Sequence, residues 1–137
     1  MVHGPDRDDA VHDTIEAHSK IFRDLMLGFV KIHVLHHASL EPIYGSGISA
    51  ELEQHGYQLS WGTLYPLLHN LTAERYLLRE ERVVEGKVRK YYRITPLGRR
   101  ALAAARDKAL ELVNEITETD VVVDGVPVHP DPAQSRR

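Results

Sequence analysis

The chain has 137 residues, 42% hydrophobic and 27% charged, enough for one domain with its own core and too apolar for a disordered segment. It contains no cysteine, which excludes disulfides, thiolate-bound zinc, iron–sulfur clusters and a thiol nucleophile. The formal net charge is -3, yet residues 60–100 carry nine Lys and Arg against four Glu, a local net of +5, with the acid gathered towards both ends.

Residues 1–12 include Gly4 and Pro5, show no periodicity and read as a flexible arm. Asp13 with Glu16 makes a capping-box-like helix start. Ile15, His18, Phe22, Leu25, Phe29, Ile32 and His36 then recur at steps of three and four, the spacing of one continuous helical stripe. Leu27, Val30, Val34 and Leu35 occupy other sides, so the second half of this helix is expected to be buried nearly all round. Pro42, Gly45 and Gly47 break it. A second helix is predicted from about Gly47 to Gln54, burying Ile48 and Leu52 and stopped by Gly56. Ser60 or Thr63 can start a third, which buries Leu64, Leu67, Leu68 and Leu71; its effective start is placed near Thr63 so that Pro66 falls in the first turn.

After Tyr76 the period changes. Arg79 to Val84 and Lys87 to Ile94 are rich in Val, Ile and Tyr, with Glu85-Gly86 between them, and predict a β-hairpin. Thr95-Pro96 is a helix start, a hydroxyl N-cap followed by proline. The last helix extends to about Thr117 with a seam of Leu102, Ala105, Ala109, Leu112 and Ile116. Beyond Asp120, Asp124-Gly125 between valines reads as either a small hairpin or a frayed tail.

Three helices, a basic hairpin and a final helix predict a mainly α fold with a small β-hairpin wing, a winged helix-turn-helix followed by a C-terminal dimerisation helix. The organisation expected is an arm over 1–12, a winged-helix domain over 13–95, a dimerisation helix over 96–118 and a tail over 119–137. With its leucines inward, the third helix presents Thr63, Tyr65, Pro66, His69 and Asn70. His69 and Asn70 can meet base edges, and Ser60, Thr63 and Tyr65 suit phosphates near a helix N-terminus. Lys87, Arg89 and Lys90 stand beside the hairpin tip within reach of phosphates. The basic centre is the footprint of a polyanion-binding face, or else a solvated surface.

The run Gly62-Thr63-Leu64-Tyr65-Pro66-Leu67-Leu68, then Lys90-Tyr91-Tyr92-Arg93-Ile94-Thr95 and Gly98, with Pro42-Ile43-Tyr44-Gly45 upstream, resembles the PadR family of transcriptional regulators. The similarity runs from about Leu27 to Leu102. It implies a homodimeric winged-helix repressor whose last helix forms the dimer interface, with Ser60, Thr63 and Tyr65 facing DNA and the basic wing residues following. Asn70-Leu71-Thr72-Ala73 departs from the family pattern, which carries a charged residue there and then Leu-Glu.

A 3-4-3-4 seam has more apolar surface than a small wing can cover, and such seams pack on partner helices. Phe22 and Leu25 on the first helix, with Leu102, Ala105, Ala109, Leu112 and Ile116 on the last, are the expected homodimer contacts. Twofold symmetry would place two recognition helices about one DNA turn, ~34 Å, apart on a palindromic operator. The alternative is that both stripes pack on each other within one chain.

Nine histidines are a surplus. His33 and His37 are i, i+4 neighbours that can offer two imidazoles to one divalent cation, zinc or cadmium, with His12, His18, His55 or Glu41 to complete a site. Val34 stands where a zinc protease needs Glu, which excludes that chemistry. The run His33-Val34-Leu35-His36-His37-Ala38 also resembles small PadR-like regulators associated with divalent metals. No cofactor is required on this reading; the small effector that releases the repressor is a divalent metal or, as the family resemblance implies, a planar aromatic compound between the long helices. Phe22 and Trp61 are available to such a compound, although core packing is their expected role.

No phosphate loop, nucleophile elbow or apolar carboxylate pair is present, so no enzyme activity is expected. No apolar run nears the ~20 residues that cross a bilayer, and the acidic start is unlike an export signal, which makes a cytoplasmic protein without membrane contact the expectation. The competing function is a winged-helix module that binds protein instead of DNA.

Overall fold

The computed structural model describes residues 19–118, together with 121–123 and 126–128. Helix α1 (Lys20–Leu40) is followed by a two-residue strand β1 (Ile43–Tyr44), helix α2 (Gly45–Gln54) and helix α3 (Trp61–Ala73). Strands β2 (Leu77–Val84) and β3 (Lys87–Ile94) precede helix α4 (Pro96–Glu118), and two short strands, β4 (Val121–Val123) and β5 (Val126–Val128), come last. The order is that of a winged helix, mainly α with a three-stranded antiparallel sheet β1-β3-β2. The chain divides into two compact units, one ending at Leu102 and the other beginning at Ala103. No helix among the described residues is long and apolar enough to cross a membrane.

The core of the first unit is one cluster. Val30, Val34, Leu35 and Ala38 of α1 meet Ile48 and Leu52 of α2, Leu64, Leu67, Leu68 and Leu71 of α3, and Ile43, Leu77 and Tyr92 of the sheet. The α3 leucines are spaced for this, since i, i+3, i+4 and i+7 share one helical face. Leu102 packs against the same cluster from α4.

Helix α1 departs from expectation in two ways. Ser19 is its N-cap, accepting from the Phe22 N–H at 3.2 Å, so the helix starts later than Asp13; the Asp13–Glu16 box, Ile15, His18 and the arm lie outside the described residues. Its second half is also buried on one side rather than all round, because Lys31, His36 and Leu40 are exposed. The residues turned to the core are Val30, Val34, Leu35 and Ala38, while Leu25 and Phe29 of the predicted stripe, and Ile21 beside them, are exposed.

The turns carry the rest. At the end of α2, Gly56 takes φ +88° and its N–H reaches the Glu53 carbonyl, while Tyr57 N–H reaches Leu52, the paired bonds of a Schellman stop. Helix α3 ends the same way, but Arg75 takes the left-handed position at φ 65°, with its N–H on Thr72 and that of Tyr76 on Leu71. Glu85 (φ 53°) and Gly86 (φ 77°) both lie in the left-handed region, which a two-residue type I′ hairpin turn requires. Helix α3 begins at Trp61 rather than near Thr63, so Pro66 is inside it, beyond the first turn. Pro66 cannot donate to the carbonyl four residues back; both it and Gly62 lie on the exposed side, where water can replace the missing donor. Strand β1 was not foreseen. Two residues between a helix and a glycine show no periodicity, and only the register Ile43 to Tyr92 and Tyr44 to Tyr91 makes them a strand.

Thr95 ties the hairpin to both flanking helices. Its hydroxyl donates to the Arg75 carbonyl at 2.6 Å and accepts from the Gly98 N–H at 3.0 Å, while its own N–H reaches the Tyr76 carbonyl at 3.1 Å. Gly98 has no room for a side chain: a Cβ there would run into the Tyr76 carbonyl oxygen and sit 2.7 Å from Ile94 Cγ1. Gly98→Ala is therefore expected to lower unfolding stability by about 2 kcal/mol through overpacking, measured as a shift of the urea midpoint at unchanged slope.

Candidate nucleic-acid interface

With four leucines turned inward, α3 sends Tyr65, Pro66, His69 and Asn70 out to solvent and leaves Thr63 half-buried. Ser60 Oγ and Thr63 Oγ1 lie 3.1 Å apart across the first turn, and Ser60 makes no capping bond to the helix backbone. From α1, Arg23 reaches Thr63 Oγ1 with Nη2 at 3.4 Å. Arg23 is thus a cation at the start of α3 that no local pattern signals, since it is 40 residues away in sequence.

On the wing, Lys87, Arg89 and Lys90 are all exposed. Among the described residues none of them makes an ion pair; the wing's own ion pairs are those of Glu80 with Arg82 and Arg93. Arg89 is held by its guanidinium lying 4.5 Å above the Tyr44 ring, and Arg82 lies 4.7 Å above Tyr91. The two tyrosines meet edge to face at 5.5 Å, so β1 supplies the platform that orients an arginine of β3. The sequence singled out Arg89 but not Tyr44, whose role depends on the β1–β3 pairing.

Trp61 is not a core residue. It is 47% exposed, and its ring stacks on that of Tyr65, itself 51% exposed, with centroids 5.2 Å apart. The expected role of Trp61 in core packing is therefore corrected: as the first residue of α3 it points away from the leucine face. Phe22 is half-buried on α1.

A second cluster joins α1 to the end of α2. His33 and His37 of α1 come together with His55, the C-cap of α2, and one nitrogen from each lies within 4.8 Å of the other two. The rings of His33 and His55 are 4.5 Å apart, and Tyr57 meets His33 edge-on at 5.5 Å. His37 Nε2 is buried without a hydrogen-bond partner. An imidazole-only donor set with one orphaned buried nitrogen fits a borderline divalent cation. The i, i+4 spacing identified His33 and His37; choosing His55 among the possible third ligands required the fold. Glu41 is not part of the group, and His12 and His18 lie outside the described residues.

Of the expected dimer contacts, Leu25 (57%), Leu112 (54%) and Ile116 (46%) are exposed, and Ala105 and Ala109 are half-exposed. Leu102, read from the sequence as part of that seam, packs against the core of its own unit.

Residues 34–104 match the family described as the transcriptional regulator PadR-like family. Transcriptional regulator Rv3488 of Mycobacterium tuberculosis is 45% identical over 94 residues, covering 69% of this chain and 88% of that protein. Among solved structures, a PadR family transcriptional regulator from Eggerthella lenta is similar with a TM-score of 0.64 and 29% identity, over 80% of this chain and 94% of that one. A PadR-like transcription factor from Bacteroides fragilis gives 0.59 and 29%, over 72% and 99%. The family match over residues 34–104 holds α3, the wing, His37 and His55.

Burial holds the pKa of His33 below the ordinary histidine value, and the neighbouring His55, His37 and His36 lower it further. The unfolded chain then binds the extra proton first, so this group's contribution to stability is complete above about pH 6.5 and is lost as pH falls below it. Chemical denaturation in metal-free buffer is expected to show stability declining from pH 6.5 towards pH 5, with a shallower decline in His33→Gln.

Proposed function

The chain belongs to the PadR-like family of transcriptional regulators, and is on that ground a regulator rather than an enzyme; from this premise we propose that it acts in the cytoplasm as a homodimeric repressor of a palindromic operator. In this reading α3 lies in the major groove, with Asn70 and His69 at base edges and Ser60, Thr63 and Tyr65 at phosphates. The wing follows the flanking strand with Lys87, Arg89 and Lys90. The observation that carries the reading is the division of α3 into a buried leucine face and an exposed polar face beside a wing whose tip cations, Lys87, Arg89 and Lys90, make no ion pair among the described residues. Unpaired cations at the tip favour a polyanion.

The dimer is supported by large apolar side chains exposed on two helices: Ile21, Leu25 and Phe29 on α1, and Leu110, Leu112 and Val113 on α4. A second copy of the chain would cover both sets. The effector favoured by the histidine cluster is zinc or cadmium, held by His33, His37 and His55. The chemistry a bound cation supplies is a crosslink between α1 and the residue that caps α2. His55 also opens the segment that leads into α3, so closure of the cluster bears on where the recognition helix starts.

Two measurements test these readings. Binding to a duplex from the upstream region of its own gene should form a complex with two protomers and weaken steeply between ~50 and ~200 mM salt. Arg89→Ala should weaken all sequences alike and reduce the salt slope by ~1, whereas Asn70→Ala should lower preference at particular base pairs by about 1–3 kcal/mol; salt-independent binding would dismiss the phosphate-driven interface. For the effector, zinc at about a hundred times its Kd should stabilise the fold by ~2.7 kcal/mol and reduce operator affinity. His55→Ala should lose both effects, and equal zinc responses in the two proteins would dismiss the site.

A further inference from the structure

A groove of about 400 Å³ opens between the first turn of α3, the start of α2 and the wing. Trp61 and Tyr65 form one wall, Tyr44 and Tyr92 lie deeper, and Arg89 and Lys90 stand on the wing side with Val88. No carboxylate lines it. Gly45 keeps the space clear, because a Cβ there would already touch Trp61 Cζ3 and Tyr65 Oη at 3.5 Å. The volume lies in the range that takes a small organic ligand.

We propose that this groove is a binding site for a free mononucleotide. The Trp61–Tyr65 stack has half of its surface in water, and a planar heteroaromatic ring is the group that extends such a stack. Arg89 and Lys90 both line the groove with no acid among the described lining residues, and two cations complement a dianionic phosphate better than a single carboxylate charge. Arg89 is already oriented by the Tyr44 ring, so little of its freedom is lost on binding. The Ser46 side chain and the tyrosine hydroxyls supply the polar contacts that a ribose can use. A mononucleotide in this groove would occupy Tyr65, Arg89 and Lys90; on the DNA reading given above, it and the operator would therefore exclude each other.

The protein provides its own probe, because Trp61 is the only tryptophan in the chain. Excited at the red edge of indole absorption, its fluorescence in the absence of duplex should be quenched saturably by adenosine monophosphate. Half-saturation should come at a concentration at least about tenfold lower than for adenosine or inorganic phosphate alone, since stacking the base is worth an order of magnitude or more against phosphate, and charge-assisted bonds to the phosphate about as much against adenosine. Gly45→Leu, which fills the groove, should abolish the quenching. Val88→Asp, which adds a negative charge at an exposed position of the wing, should raise the half-saturation point several-fold without threatening the fold. Several outcomes overturn the proposal: no saturation in the millimolar range, phosphate or adenosine matching the nucleotide, benzoate matching it (which assigns the groove to simple aromatic acids), or quenching unchanged in both variants. The readout needs no DNA, so a failure of operator binding leaves it standing, and its own failure leaves the operator reading intact.

Discussion

The burial of Leu64, Leu67, Leu68 and Leu71 against Val30, Val34, Ile48 and Leu52 is the constraint on which the functional surface depends. Rotation of α3 about its axis would expose leucine, at roughly 1.5–3 kcal/mol for each side chain fully returned to water. That cost holds the helix in one orientation, and the polar residues on the opposite face inherit their direction from it. Tyr65, His69 and Asn70 are aimed outward because their neighbours are committed inward. The packing and the recognition face are two sides of one helical period.

The wing is positioned by a different device. The Schellman stop of α3 puts Arg75 in the left-handed region and turns its carbonyl to meet Thr95. Thr95 in turn caps α4 through the Gly98 N–H, and Gly98 lets that first turn press against the Tyr76 backbone. The end of α3, the base of the hairpin and the start of α4 are therefore joined within a few ångströms of one hydroxyl. A hairpin anchored at its base can present cations at its tip without a packed surface of its own, which agrees with the exposure of every wing residue from Lys87 to Lys90.

Charge is sorted by the same geometry. Glu80 draws in Arg82 and Arg93, while Arg89 rests on the face of Tyr44. The histidine cluster lies apart from this cationic edge, on α1 and the cap of α2. The short segment from His55 to Ser60 is the covalent link between the cluster and α3.

Much of this was legible from local pattern. Helical spacing marked the four leucines, Glu85-Gly86 marked a turn that needs two left-handed residues, and Thr95-Pro96 marked a helix start, because each depends on neighbours a few positions away. The pattern misled where two apolar stripes competed on α1. Periodicity reveals that a stripe exists but not which partner covers it, and the core took Val30, Val34 and Ala38 while leaving Leu25 and Phe29 in water. It was silent wherever the determining contact is distant in sequence. The two-residue strand β1, the Tyr44 platform under Arg89, the approach of Arg23 to Thr63, the Trp61–Tyr65 stack and the choice of His55 beside His33 and His37 all arise when separated segments meet. Residue order alone determined the helices, the hairpin and the inward face of α3, whereas tertiary packing decided which side chains converge, because convergence depends on distances in space that no local period encodes.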